Sequence, residues 1–418
     1  MNQAAPAPSP QDAHAPAGDE IDLATAAKAR VAFVQYGDFR AAAEGFARGE
    51  PETYFAQRYS VDEVEELADP LESVSVLTLK AEPYDMTLPS GVRVVGVAGA
   101  AHDPAGVQAV IEQLDRLEPD HLILRMPSVG LLEHALAKGW RVLPLLADSF
   151  PRSWRGRWRS RRLTRLLRSA SVPWVANHQR PASNDLVRLG VPAEKIIPWD
   201  WPPATTPNDW PVRSRISETP KLIYVGQLLE AKGLGDAIDA VGLLHKQGQA
   251  VELTVVGGEP GPWQAHAKRA GVADTVHFAG RVPHAKVLRM LAEHTAAIVP
   301  SRPGYPEGLP MTIFDALSTR TPLILSDHPM FQNAVKHGES GLFFRAADAA
   351  DLATQVARLL GDAALYTKLS DQAAQAWSAL RVPVRWHELV RRWVRNSEAD
   401  GAWLAEHTLA RLDRGVPR

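Results

Sequence analysis

The chain has 418 residues, of which 45% are hydrophobic and 22% charged, with a formal net charge of −2 and no cysteine. That length is too great for one ordinary core and calls for two domains of roughly 150–200 residues. The near-neutral charge gives no global field for nucleic acid, missing thiols exclude disulfides and thiolate metal sites, and no apolar run approaches a membrane span.

The first 20 residues are rich in Ala and Pro and have neither a basic start nor an apolar stretch. They predict a disordered tail, taken to residue 27, rather than a signal peptide; a cytoplasmic protein is expected. Apolar runs then predict strands at 31–35, 73–79 and 92–97. A helical spacing over 102–117 precedes strand candidates at 121–124, 142–146 and 173–176, and a short helix is expected at 52–57. Strands alternating with helix-length segments predict a parallel α/β sheet, and their unbroken apolar character predicts burial on both faces. A first Rossmann-like domain is placed at 28–197.

Six prolines between Pro198 and Pro220 mark a linker over 198–220. A fresh series of strands follows at 222–225, 252–256, 275–278, 297–299, 322–325 and 341–343. It gives a second Rossmann-like domain at 221–383, and a helical segment rich in Trp and Arg closes the chain at 384–418. The fold class is therefore α/β, two doubly wound domains facing across a cleft, with the last segment crossing back to the first domain.

In open parallel sheets, ligands bind beyond the carboxyl ends of the strands. Four such ends in the second half carry unusual residues. Gly226-Gln227 leads to Lys232-Gly233, where a lysine near a helix start suits phosphate; the plain alternative is a surface lysine beside a loop. For Gly257-Gly258-Glu259-Pro260 the plain alternative is a turn, and for Gly280-Arg281-Val282-Pro283-His284 it is a loop with a solvated arginine. Pro300-Ser301-Arg302-Pro303-Gly304-Tyr305-Pro306-Glu307-Gly308-Leu309-Pro310 enters a helix expected at 311–318. Glu307 and Asp315 stand a little over two helical turns apart, so both can face one cleft. Singly, one is a helix-capping acid and the other a solvated one.

Taken together and in order, these segments, closed by Thr321-Pro322-Leu323-Ile324, resemble the retaining GT-B glycosyltransferases of family 4, or group 1. The loop Lys336-His337-Gly338-Glu339-Ser340-Gly341-Leu342 is similar to one typical of that family; it lacks the spacing of a hydrolase elbow. The likeness is strong over 221–360 and covers the first half only in general plan. It implies a GT-B fold and sugar transfer from a nucleotide-sugar donor to a glycan, lipid-linked or small-molecule acceptor, in polysaccharide or glycoconjugate biosynthesis. Lys232 and Gln227, beside Gly226 and Gly257, would bind the donor diphosphate. Glu307 would contact the sugar, Gly308, Leu309, Pro310 and Met311 would border the phosphate, Asp315 would hold the ribose, and Arg281 and Val282 would meet the base. Three positions depart from the family pattern: Gln227 replaces an arginine, Asp315 a glutamate and Arg320 a small residue.

On the acceptor side the family's Gly-Gly pair is missing, and Gly49 is either the residue that closes over the donor or a simple loop glycine. Asp148 ends a strand where the family often places a His or Asp near the reacting sugar; a helix cap is the alternative. Arg125 and His178, each following a strand, are candidates for the acceptor cleft. Eight arginines lie between Arg152 and Arg168, interleaved with Trp154, Trp158 and leucines. This stretch is either a solvated arginine face on a packed helix or a surface for anionic membrane. No recognisable nucleic-acid module accompanies it.

Neither an Asp-x-Asp nor a His-x-x-x-His motif occurs, so nothing visible requires a metal or other cofactor. Lys232 and helix-end amides would then meet the leaving charge. A scaffold that binds nucleotide or a partner without turnover is the alternative that Gln227 and Asp315 leave open. A phosphorylase-like enzyme lacks a signal for a lysine-linked cofactor, and Gly233-Leu234-Gly235 lacks the third glycine of a dinucleotide fingerprint.

Overall fold

A computed structural model describes residues 21–52, 55–79, 81–100, 103–150, 154–305, 309–332 and 334–414. Two parallel sheets organise it. The first is built from β1 (Arg30–Gln35), β2 (Ser73–Leu79), β3 (Tyr84–Thr87), β4 (Arg93–Val97), β5 (His121–Leu124), β6 (Arg141–Leu146), β7 (Val175–His178) and β8 (Ile196–Trp199), in the order β3-β4-β2-β1-β5-β6-β7-β8. The second contains β9 (Lys221–Val225), β10 (Glu252–Val256), β11 (Val276–Gly280), β12 (Ala296–Val299), β13 (Leu323–Ser326) and β14 (Leu342–Phe344), in the order β11-β10-β9-β12-β13-β14.

Among the described strands only β3 runs antiparallel, pairing Tyr84 with Gly96 and Thr87 with Arg93. Its residues are mostly exposed, so it carries no long apolar run and the sequence reading passes over it. By contrast, β2 is buried from Val74 to Leu79 and β12 throughout. Strands covered on both faces need no polar alternation, and apolar clusters line both faces of each sheet.

The doubly wound α/β architecture matches the expectation, with local corrections. The helix expected at 52–57 begins at Gln57 instead and runs to Glu66; residues 53 and 54 lie outside the described set. β8 carries the first sheet to Trp199, inside the proline-rich stretch. The final segment is three helices, Trp386–Arg395, Glu398–Glu406 and Leu409–Arg414. The first of these buries Trp386, Leu389 and Trp393 among Phe33, Val31 and Val76 of the first sheet, and Phe33 stacks on Trp386 with ring centroids 6.2 Å apart. Fully burying such an indole is worth about 5 kcal/mol by area, which explains why the chain's end returns to the first domain. Where the chain crosses between domains, Asp200 N–H donates to Val384 O (3.0 Å) and Trp386 N–H to Asp200 O (3.2 Å).

Candidate active site

In the second sheet the chain leaves β9 toward β10 and returns to β12 on the other side, so the topological switch point lies between β9 and β12. Such a crevice is where an open α/β sheet offers room for a ligand. After β9 come Gly226 and Gln227, the short 3-10 turn Glu230–Lys232 and the helix Leu234–Lys246. Gly233 adopts φ +73°, and a Cβ there would collide with the carbonyl oxygen of Pro300, so only glycine lets the two loops close together.

The two loops and the start of the helix Met311–Ser318 enclose a cavity of about 260 Å³, lined by Gly226, Gln227, Lys232, Tyr305, Pro310 and Met311 among others. Lys232 Nζ lies 4.6 Å from the centroid of the Tyr305 ring. The Tyr305 hydroxyl donates to Gln227 Oε1 at 3.3 Å, and Tyr224 donates to the Gln227 carbonyl at 2.5 Å. Pro310 caps the helix without a side-chain hydrogen bond and its carbonyl accepts from Ile313 N–H at 2.9 Å; Met311 and Thr312, the first two helical residues, border the cavity, where the positive end of the helix dipole lies. The cavity thus joins a lysine, a helix N-terminus and tyrosine and glutamine dipoles: a site shaped for an anion.

Asp315 lies further along the same helix and is not among the described residues that line this cavity. Its Oδ2 meets His284 Nε2 at 3.0 Å, and His284 Nδ1 faces Glu52 of the first domain at 3.9 Å. The Phe55 ring lies 4.8 Å from the imidazole. Burial opposes charging His284, but Asp315 and then Glu52 outweigh it and hold its pKa above the ordinary value. Burial likewise raises the Glu52 carboxyl, against the pull of His284. Asp315 also lines a void of about 20 Å³ with Phe55, Asp200 and Arg381.

Of the other donor candidates, Gly257 packs on Gly226, where a Cβ would strike the Gly226 carbonyl oxygen. Leu309 is buried in a hydrophobic cluster of the second domain. Arg281 is exposed and Val282 half-buried at the end of β11. Glu307 and Gly308 lie outside the described residues.

In the first domain Asp148 follows β6 and is half-buried. Burial lifts its carboxyl to about 6. Its backbone is held by Asn177, whose Oδ1 accepts from Asp148 N–H (3.2 Å) and whose Nδ2 donates to Asp148 O (3.0 Å). His178 Nε2 approaches Asp200 Oδ1 at 3.3 Å and its ring packs on Trp199. Arg125 donates to Gln35 Oε1 (2.7 Å) and Ser60 Oγ (3.1 Å), and its guanidinium lies 5.7 Å from the Trp386 ring. Arg125 is thus engaged with the domain's own frame. Gly49 turns at φ +80°, and a Cβ there would meet nothing within 4 Å; further along, Glu52 and Phe55 reach His284.

Residues 154–168 form two helices, Trp154–Arg159 and Arg161–Arg168. Leu163 and Leu167 are buried, Arg159, Arg161, Arg165 and Arg168 are exposed, and Trp158 is 65% exposed. Arg152 lies outside the described residues. No described helix is long and apolar enough to cross a membrane. Among the described residues no group of three His, Cys, Asp or Glu side chains could hold a metal ion.

Of the donor candidates, Gly226, Gln227, Lys232, Pro310 and Met311 line the cavity together, whereas Gly257, Arg281, Val282, Leu309 and Asp315 are not among its described lining residues. The sequence reading did not single out Tyr305, Arg302, His284 or Glu52. The first three sit inside the quoted motifs, but nothing in their spacing shows which neighbour each touches.

Residues 208–376 match the family model for glycosyl transferases group 1. This stretch belongs to the group 1 glycosyltransferase family. It contains the whole lining of the larger cavity. A curated relative, the amylovoran biosynthesis glycosyltransferase AmsK of Erwinia amylovora, is 30% identical over 181 residues, covering 42% of this chain and 44% of its own. The match thus spans less than half the length of that relative. Sucrose-phosphate synthase from Thermosynechococcus elongatus superposes with a TM-score of 0.62 at 18% identity, over 88% of this chain and 99% of that one. Anabaena Alr3699/HepE in complex with UDP-glucose gives 0.58 at 15% identity, over 84% and 94%. The group 1 domain and the sheet before it thus share the GT-B fold, as the motif order implied.

Proposed function

We propose that the protein is a retaining, family 4 glycosyltransferase that moves a sugar from a nucleotide-sugar donor to an acceptor hydroxyl in glycan biosynthesis. The observation that carries this reading is the convergence of Lys232, Gln227 and the N-terminus of the helix Met311–Ser318 on the cavity at the β9/β12 switch point. A diphosphate there meets one ammonium, amide donors and a favourable dipole, and its charge grows as the sugar–oxygen bond breaks. UDP-glucose bound to the similar HepE fold supports a nucleotide sugar as the donor class. No metal is assigned to this chemistry.

The donor occupies the unit at 221–383, and the acceptor approaches from the unit at 28–197 across the 198–220 linker, with 384–418 bracing the first unit. The nucleoside diphosphate leaves on the face the acceptor hydroxyl enters, and a leaving-group oxygen takes the hydroxyl proton. Asp148, on the first unit, is assigned to the acceptor side of the reacting sugar. The test is release of nucleoside diphosphate from UDP-, GDP- and ADP-glucose by the native protein and by Lys232→Ala and Glu307→Ala. Release by the native protein and loss in both variants is expected; equal release by all three proteins contradicts the assignment.

Trp158, 65% exposed among outward arginines, favours a peripheral contact of 152–168 with anionic membrane at the cytoplasmic face. Sedimentation with phosphatidylserine-containing vesicles is expected to carry down the native protein and less of Trp158→Ala. No sedimentation, or none that depends on anionic lipid, contradicts this contact.

A further inference from the structure

Lys232 stands on a turn that a second loop holds in place. The Arg302 guanidinium reaches Asp236 through Nε (3.2 Å) and Nη2 (2.9 Å) and Glu230 through Nη1 (2.7 Å). Asp236 is buried in the first turn of the helix Leu234–Lys246, and Glu230 opens the 3-10 turn that ends at Lys232. Arg302 therefore grips the chain on both sides of the lysine. Its backbone adds a further tie, Arg302 N–H to Ala231 O at 2.9 Å. Tyr305, whose N–H donates to Arg302 O at 2.9 Å, brings its ring to 4.6 Å from Lys232 Nζ.

Arg302 is not among the described residues that line the cavity. A planar fork engaged by two carboxylates is pre-organised, whereas a lysine ammonium on four methylenes must be aimed by its surroundings. Among the described residues that line the cavity Lys232 is the single cation, so its aim bears more of the binding.

We propose that Arg302 is a positioning residue for Lys232, acting on a diphosphate through the lysine and not by touching it. This rests on the donor reading above. The test is a double-mutant cycle on the full chain, with Arg302→Gln, Lys232→Ala and the pair titrated with UDP, GDP and ADP by calorimetry. For whichever nucleotide binds the native protein, Arg302→Gln is expected to weaken binding about tenfold, and by less than twofold once Lys232 is alanine. Arg302→Lys is expected to recover part of the loss. An equal loss in both backgrounds, or none in the native background, overturns the proposal.

A second readout needs no nucleotide. Reductive methylation of Lys232, followed by peptide mass spectrometry, is expected to run faster in Arg302→Gln than in the native protein, with matching melting curves as the control for folding. Equal rates overturn the proposal. If none of the three nucleotides binds the native protein, the donor reading fails and the labelling comparison alone decides whether Arg302 positions the lysine.

Discussion

Asp315 and His284 share a buried hydrogen bond, Oδ2 to Nε2 at 3.0 Å, and the other face of that imidazole looks at Glu52 across the domain boundary. The carboxylate that the family likeness assigned to the ribose is thus already engaged by a histidine.

His284 has a raised pKa because Asp315 and Glu52 outweigh its burial. A folded-state pKa above the unfolded value, about 6.5, stabilises the fold fully below that value and loses the contribution as pH rises through the folded one. His284→Asn is therefore expected to lower the melting temperature by several degrees at pH 6 and by clearly less at pH 9. Glu52 enters the same balance, and Glu52→Gln is expected to shrink the pH dependence without abolishing it. An equal loss at both pH values in His284→Asn contradicts the coupling.

Asp148 carries a carboxyl that burial lifts to about 6. If its ionised form acts in transfer, the rate falls as pH drops through about 6, and Asp148→Asn lowers kcat by roughly tenfold or more while erasing that limb. A variant that keeps the native pH profile removes Asp148 from the reaction.

Gly233 has no room for a side chain beside Pro300 and sits at φ +73°. Gly233→Ala is expected to cost about 2 kcal/mol or more of stability and to weaken nucleotide binding, because Lys232 is its neighbour. Thermal melts and calorimetry on the same sample check both effects. Unchanged binding would detach the loop packing from the site.

Asp400 is buried and its carboxylate accepts from Arg395 Nη2 (2.6 Å) and Ser397 Oγ (2.7 Å). Burial alone would raise its pKa, but these partners pull it well below the usual range. Its stabilisation is full above about pH 4 and is lost only as pH falls toward the depressed value. Asp400→Asn is expected to lower the melting temperature by several degrees at pH 7 and by less below pH 4, as read by thermal melts across that range.

Much of this was legible in sequence because the features are local. The runs at β2, β5 and β10 are apolar, short and bounded, so their limits coincide with the expected ones. Lys232 and Gln227 could be placed because a strand end and a glycine turn fix where they stand. The Asp315–His284–Glu52 contact was not legible: 31 residues separate the first two, and Glu52 belongs to the other domain. β3 escaped because an exposed edge strand has no hydrophobic signature, and the three closing helices because Asn396 and Thr408 interrupt a single apolar pattern.

Titration calorimetry with UDP-, GDP- and ADP-glucose on the native protein and Lys232→Ala tests most directly that the cavity beside Lys232 holds a nucleotide-sugar donor. One of the three is expected to bind the native protein and to bind the variant roughly thirtyfold more weakly, as loss of a charge-assisted phosphate contact implies. Binding of none, or equal binding to both proteins, would contradict it.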